Sequence, residues 1–130
     1  MKTQLSIFAL SLLLLLFSSC LNTKIYEGKA LIVSRSFDTS LQDSAMIYGY
    51  VLDAAEKQPL WNSSTIIVEE TQTTTYSDST GYFSMKLLQG TYTVVCFDPL
   101  VTNDTLKLEN TVIFPNEKVE IKFLKGVVIW

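Results

Sequence analysis

The 130-residue chain contains no histidine. That absence removes Ser-His-Asp and Cys-His nucleophilic catalysis and the common zinc sites, which use imidazole as base or ligand. Basic residues are also few. Ten Lys and Arg stand against thirteen Asp and Glu, with no basic run and no aromatic-basic interleaving, so the chain is a poor partner for nucleic acid. Two cysteines, Cys20 and Cys96, are too few for a disulfide framework. Beyond the first twenty residues no stretch sustains a helical period, and no apolar run reaches the ~20 residues that span a bilayer.

What is present begins with Lys2 and "LSIFALSLLLLLF", an apolar run within the roughly 7–15 residues of a signal-peptide core. The run ends in "FSSC", with Ser18 and Ser19 before Cys20. This resembles a bacterial lipobox, with Phe17 where leucine is usual. The resemblance implies that residues 1–19 are cleaved as a lipoprotein signal peptide, that Cys20 is lipidated on sulfur, and that its new amine is acylated. At ~0.8 kcal/mol per buried methylene, two or three acyl chains hold a protein on a membrane essentially permanently. Ordinary secretion with a chance cysteine at the junction is the alternative. Loss of Lys2 with the leader takes the net charge from −3 to −4. With Cys20 a thioether, Cys96 has no cysteine partner in the chain. In "YTVVC" it shares a strand face with Tyr92 and Val94, as a small buried hydrophobe does.

Residues 46–53, 64–70, 72–77, 81–87, 91–98, 104–114 and 118–124 alternate with a period of two. They are rich in β-branched and aromatic residues and separated by Gly, Pro, Asn, Asp or Ser. Seven short strands, each with one strongly apolar face, predict an all-β, two-sheet antiparallel sandwich over residues 45–124. Phe83-x-Met85-x-Leu87, Tyr92-x-Val94-x-Cys96 and Val119-x-Ile121-x-Phe123 are the expected core rows, with Lys118, Glu120 and Lys122 facing water. Residues 20–44 read as a lipidated N-terminus and polar tether, although "GKALIVS" is strand-like. Residues 125–130 form an apolar tail ending at Trp130. It is expected to complete a sheet edge or to dock into a partner by adding a strand.

Individual residues narrow the chemistry. In "YSDSTGYF", Asp78 and Gly81 have turn-making side chains at turn spacing. A calcium loop needs six or more oxygens, and Asp78 stands among Ser and Thr alone, so no metal is expected there. Glu69 and Glu70 are adjacent and point to opposite strand faces, the wrong arrangement for a glycosidase pair. Asp53 and Glu56 flank a turn. No catalytic residues and no cofactor are expected. Trp61 lies in a loop, where an aromatic either stacks on a sugar or partner or plugs one end of the sandwich. Asp43-Ser44-Ala45 and Asp104-Thr105-Leu106 resemble the Asp-Ser/Thr-apolar acceptor of O-glycosylation in exported Bacteroidota proteins, which makes Ser44 and Thr105 candidate modification sites.

Taken in order, "Tyr48-Gly49-Tyr50-Val51-Leu52-Asp53", "Gln58-Pro59-Leu60", "Ile66-Ile67-Val68", "Ser77-Asp78-Ser79-Thr80-Gly81-Tyr82-Phe83" and "Gln89-Gly90-Thr91-Tyr92-Thr93-Val94" resemble the carboxypeptidase regulatory-like domain. The resemblance covers about residues 46–124. Ser77 stands where the family usually has Thr, and "WNSS" carries an extra residue. The resemblance implies a transthyretin-like seven-stranded sandwich and a non-catalytic module of secreted or envelope proteins. The expected role is that of a lipid-anchored accessory protein contacting an envelope protein. The alternative is a glycan- or ligand-binding lipoprotein using Trp61 and neighbouring tyrosines. The outer membrane is the expected location, on its periplasmic face, since "LNTKIYE" lacks the acidic cluster that resembles a surface-export signal.

Overall fold

A computed structural model describes residues 23–60, 62–98 and 101–129, with residues 101–104 and 128–129 described by backbone alone. Among them are ten strand segments: β1 (Lys24–Tyr26), β2 (Lys29–Phe37), β3 (Ala45–Asp53), β4 (Thr65–Val68), β5 (Thr73–Tyr76), β6 (Tyr82–Leu87), β7 (Gly90–Asp98), β8 (Val101–Ile113), β9 (Glu117–Lys125) and β10 (Val127–Ile129). The only helical element described is one 3₁₀ turn, Thr39–Leu41. Two four-stranded sheets, in the orders β2-β9-β3-β6 and β5-β4-β7-β8, pack face to face as a β-sandwich. No described helix is long and apolar enough to cross a membrane.

The seven expected strands are present as β3 to β9, but the expected count of seven is too low. Residues 24–37, read mostly as tether, are β1 and β2, and part of the tail is β10. The signal was weak because β2 is an edge strand. Only Ala30 and Ile32 pack against the core, and Arg35 and Ser36 dilute the alternation. β1 and β10 continue the β2–β9 ladder in one register: Tyr26 faces Val127 and Lys29 faces Leu124, three residues on along each chain.

The expectation of an antiparallel sandwich also needs correction, because β3 and β9 pair in parallel from Met46↔Lys118 to Asp53↔Lys125. The cause is an arch. β2 and β3 are consecutive and run in opposite directions, yet β9 lies between them, antiparallel to one and therefore parallel to the other. Residues 38–44 bridge over the start of β9, and Asn116 is the post on which they rest. Its N–H donates to the Ser44 carbonyl at 2.8 Å and its carbonyl accepts from the Asp38 N–H at 2.7 Å. Its side-chain Oδ1 accepts from the Asp43 N–H at 2.8 Å, and Nδ2 donates to Asp43 Oδ1 at 3.2 Å. Asn116 has φ +64°, a left-handed conformation that asparagine tolerates better than most residues.

All three expected core rows are buried, and Phe83 of β6 and Phe123 of β9 meet over β3, which lies between them, with ring centroids 5.8 Å apart. Each fully buried side chain of this kind contributes about 1.5–3 kcal/mol relative to exposure. Gly49, at the centre of β3, faces Ile121 so closely that a Cβ there would lie 1.7 Å from the Ile121 carbonyl oxygen. A side chain at that position is incompatible with the β3–β9 pairing.

The strand directions define two ends. One, the base, holds β1, β10 and the loops at residues 54–60 and 77–81. The other, the tip, holds the arch and the turns at residues 69–72, 88–89 and 114–116.

Candidate functional site

The tip gathers exposed apolar side chains. Phe37, at the end of β2, is 70% exposed, Leu88, in the β6–β7 turn, is 73% exposed, and Phe114, after β8, is 53% exposed. Beside Leu88 a cavity of about 370 Å³ is lined by Ser44, Thr71, Thr73, Lys86, Leu87, Leu88 and Tyr92. Tyr92 forms part of its wall because its hydroxyl donates to the Leu88 carbonyl at 2.8 Å, which fixes the turn carrying Leu88.

On the opposite side of the tip, Arg35 fastens the two sheets together. One guanidinium nitrogen donates to the Val112 carbonyl and to the Glu117 carboxylate, each at 2.9 Å. Glu117 is buried and also accepts from the Phe114 N–H at 3.2 Å. A buried carboxylate without such partners is costly, so the Arg35 pair holds the start of β9 to β2 beside Phe37 and Phe114. Within the arch, Asp38 accepts from the Ser40 hydroxyl at 2.6 Å and from its N–H at 3.0 Å. Those bonds to the charged form hold the Asp38 carboxyl below its usual range, the hydroxyl contributing most.

A second surface is the outer face of the sheet β2-β9-β3-β6. Tyr50 and Tyr82 are directly paired across β3 and β6, edge to face at 5.6 Å between centroids. On the neighbouring row the Lys118 ammonium sits 5.3 Å from the centre of the Tyr48 ring. Lys122 pairs with Tyr50 and Glu120 with Tyr48 across β3 and β9, and Lys86 pairs with Met46 across β3 and β6, so the face sets tyrosines among three lysines and one carboxylate. Such faces stack on planar or ring-shaped ligands while offering cations to polar groups. The sequence signal was Tyr48-x-Tyr50, two large aromatics on the face opposite Ile47 and Val51. Aromatics at strand positions draw less notice than a loop aromatic such as Trp61, because an alternating strand accounts for them.

The candidate residues fall in different places. Asp78 Oδ1 accepts from Thr80 N–H, the Thr80 hydroxyl and Tyr82 N–H at 2.9, 2.7 and 3.0 Å. The Thr80 hydroxyl is the main cause of its lowered pKa. Gly81 closes that turn with φ +84°, and a Cβ on it would lie 2.5 Å from the Val51 carbonyl oxygen. Asp78 and Gly81 are thus at the base, away from the tip cavity. Ser44 lines the tip cavity, half-buried, with its hydroxyl donating to the Leu41 carbonyl at 2.6 Å. Thr105 is exposed on β8. Cys20, Trp61 and Trp130 lie outside the described residues, as do residues 1–19.

The carboxylates are dispersed. Glu69 pairs with Lys107 at 3.2 Å, and Glu70 accepts from the Thr93 N–H at 2.7 Å. Asp53 Oδ1 accepts from the Glu56 N–H at 2.6 Å, the main cause of its lowered pKa. Among the described residues no group of three His, Cys, Asp or Glu is placed to hold a metal ion. Ser77 is buried and accepts from the Ser64 N–H at 2.8 Å, while its carbonyl accepts from the Ser63 hydroxyl. These bonds tie the segment after Trp61 to the end of β5. Compared with protein-family models, with curated proteins and with solved structures, the chain matches none.

Proposed function

We propose that the chain is a lipid-anchored accessory protein of the bacterial cell envelope. In this reading it is a non-catalytic module of carboxypeptidase regulatory-like, transthyretin-like type. Cys20 holds it on the outer membrane, and the tip contacts an envelope protein. The observation that carries the reading is that Phe37, Leu88, Phe114 and the adjoining cavity lie at the end of the sandwich opposite the entry of the N-terminal segment. Large exposed apolar groups at one end of the fold, Leu88 beside the recess and Phe37 and Phe114 across the tip from it, are what a protein partner buries. A photo-crosslinking residue placed at Phe37, Leu88 or Phe114, with Thr74 on the outside of β5 as control, tests this in the native envelope. The expected result is one partner captured from the tip positions and not from Thr74. Capture from Thr74 alone, or no capture from any tip position, removes the reading.

A second reading, a glycan- or ligand-binding lipoprotein, is favoured by the Tyr48, Tyr50 and Tyr82 face with its lysines. Its test is a glycan array probed with the parent and with Tyr50→Ala and Tyr82→Ala. Binding by the parent that both variants lose supports it, and an empty array ends it.

A further inference from the structure

We infer that the β1–β10 ribbon is seated on the bilayer surface, with Ile25 entering the headgroup region. The inference rests on the lipid anchor proposed above and specifies how the folded domain meets the membrane. Only Leu21, Asn22 and Thr23 separate Cys20 from β1. An extended chain advances at most about 3.3–3.6 Å per residue, so Lys24 lies within roughly 14 Å of the acylated residue. The polar layer on each side of a bilayer is about 5–8 Å deep, so an acylated Cys20 sits within it and the remaining reach leaves no spacer. The polar tether expected from sequence is consumed by β1 and β2. The first folded element to reach the lipid is β1, together with the strand paired to it.

The ribbon's own chemistry fits that position. Ile25 is 70% exposed, and the register places Val128 opposite it. The three residues of β10, Val127 to Ile129, carry no charge. Lys24 and half-buried Tyr26 flank Ile25 on the other face of the strand, from which the long lysine stem reaches back to bring a cation to anionic headgroups. The ribbon is also a separate extension beyond both main sheets. The ladder breaks where Gly28 and Gly126 meet, so close that a Cβ on either would lie 3.1 Å from the other's backbone nitrogen. An apolar, singly cationic strand pair at the anchored end has the bilayer as the surface nearest to it.

The test uses the full-length protein, expressed with its leader, purified and reconstituted into vesicles of phosphatidylcholine and phosphatidylglycerol. Nitroxide labels are introduced through Ile25→Cys and, at the tip, Phe37→Cys and Leu88→Cys. Acylation blocks Cys20, and the parent, in which Cys96 is fully buried, is the labelling control. Intact mass and flotation report the anchor, and collision with oxygen against a water-soluble nickel chelate reports depth. The expected result is an oxygen-to-nickel accessibility ratio several-fold higher at position 25 than at positions 37 and 88. An acylated, floating protein with position 25 as open to nickel as the tip overturns the seating and leaves the anchor standing. An unacylated protein that does not float overturns both.

Discussion

Asn116 is the residue on which the tip depends, and replacing it in two ways separates its two contributions. Asn116→Ala removes the side-chain bonds to Asp43 and places an alanine at φ +64°. Each lost hydrogen bond is worth about 0.5–1.5 kcal/mol net, toward the lower end here because Asp43 is exposed, and a left-handed alanine adds about 1 kcal/mol. The total is about 2–3 kcal/mol. Asn116→Gly loses the same bonds but relieves the backbone, and should cost about 1–1.5 kcal/mol after the extra freedom of an unfolded glycine is counted. With a urea slope of about 1–1.5 kcal/mol per molar for a domain of this size, the midpoint should fall by roughly 2 M for alanine and 1 M for glycine. Urea unfolding followed by circular dichroism reads both. The backbone bonds from Asn116 to Asp38 and Ser44 survive in each variant, so both should fold, and the glycine variant should retain tip crosslinking. A glycine variant less stable than the alanine variant would refute the assignment of a left-handed post. Losses near zero in both would show that the arch is held by packing over Leu41 instead.

Gly49→Ala forces a Cβ into the Ile121 carbonyl and should cost on the order of 3 kcal/mol or more through overpacking and broken β3–β9 ladder bonds, read as a lower urea midpoint. A midpoint within experimental error of the parent would contradict the β3–β9 pairing. The Asp78 carboxyl has its folded pKa below its unfolded one, so its contribution is complete above the unfolded value near about pH 4 and is lost as pH falls through the folded value. Asp78→Asn should therefore be less stable than the parent near neutral pH and indistinguishable from it in strong acid; a gap that persists in acid would assign the effect to turn geometry. Deleting Val33, the extra residue where the β2–β9 register shifts, keeps Ile32 and Arg35 on their present faces. Stability should change little, while light scattering should show more self-association through the straightened edge.

The sequence disclosed what depends on one strand at a time. Phe83, Met85 and Leu87 alternate strongly with Ser84 and Lys86, so β6 and its buried face follow from period alone. Strand pairing depends on two distant segments, and nothing in "KVEIKFL" says that its neighbours are β2 on one side and β3 on the other. Asn116, in a left-handed turn between β8 and β9, fastens the arch that carries the chain from β2 to β3, and its meaning appears only when the arch folds over it. The tip was illegible for a similar reason. Phe37, Leu88 and Phe114 lie far apart in sequence, each at a strand end where an exposed apolar residue attracts no notice, and only the topology brings them to one end. Asp78 and Gly81 are the opposite case, since their turn is complete within five residues, from Asp78 to Tyr82.

The same topology leaves β2 and β8 as neighbouring open edges, and a long unpaired edge is a template for unwanted strand addition. Both are interrupted. On β2 the register shifts at Val33, between charged Lys29 and Arg35, and on β8 it shifts twice, once beside Asn110 at φ +51°. A bulge bends the strand and misaligns its donors and acceptors, so neither edge offers a long straight ladder to another chain. The edges on the other side are short instead: β5 has four residues and β6 has six. On the proposed lipid anchor the protein would meet its own copies often, which would make such edges more hazardous than they are in dilute solution. With the edges blunted, strand addition is disfavoured while the apolar side chains of the tip stay exposed, and the Arg35 to Glu117 pair ties the bulged edge to that tip.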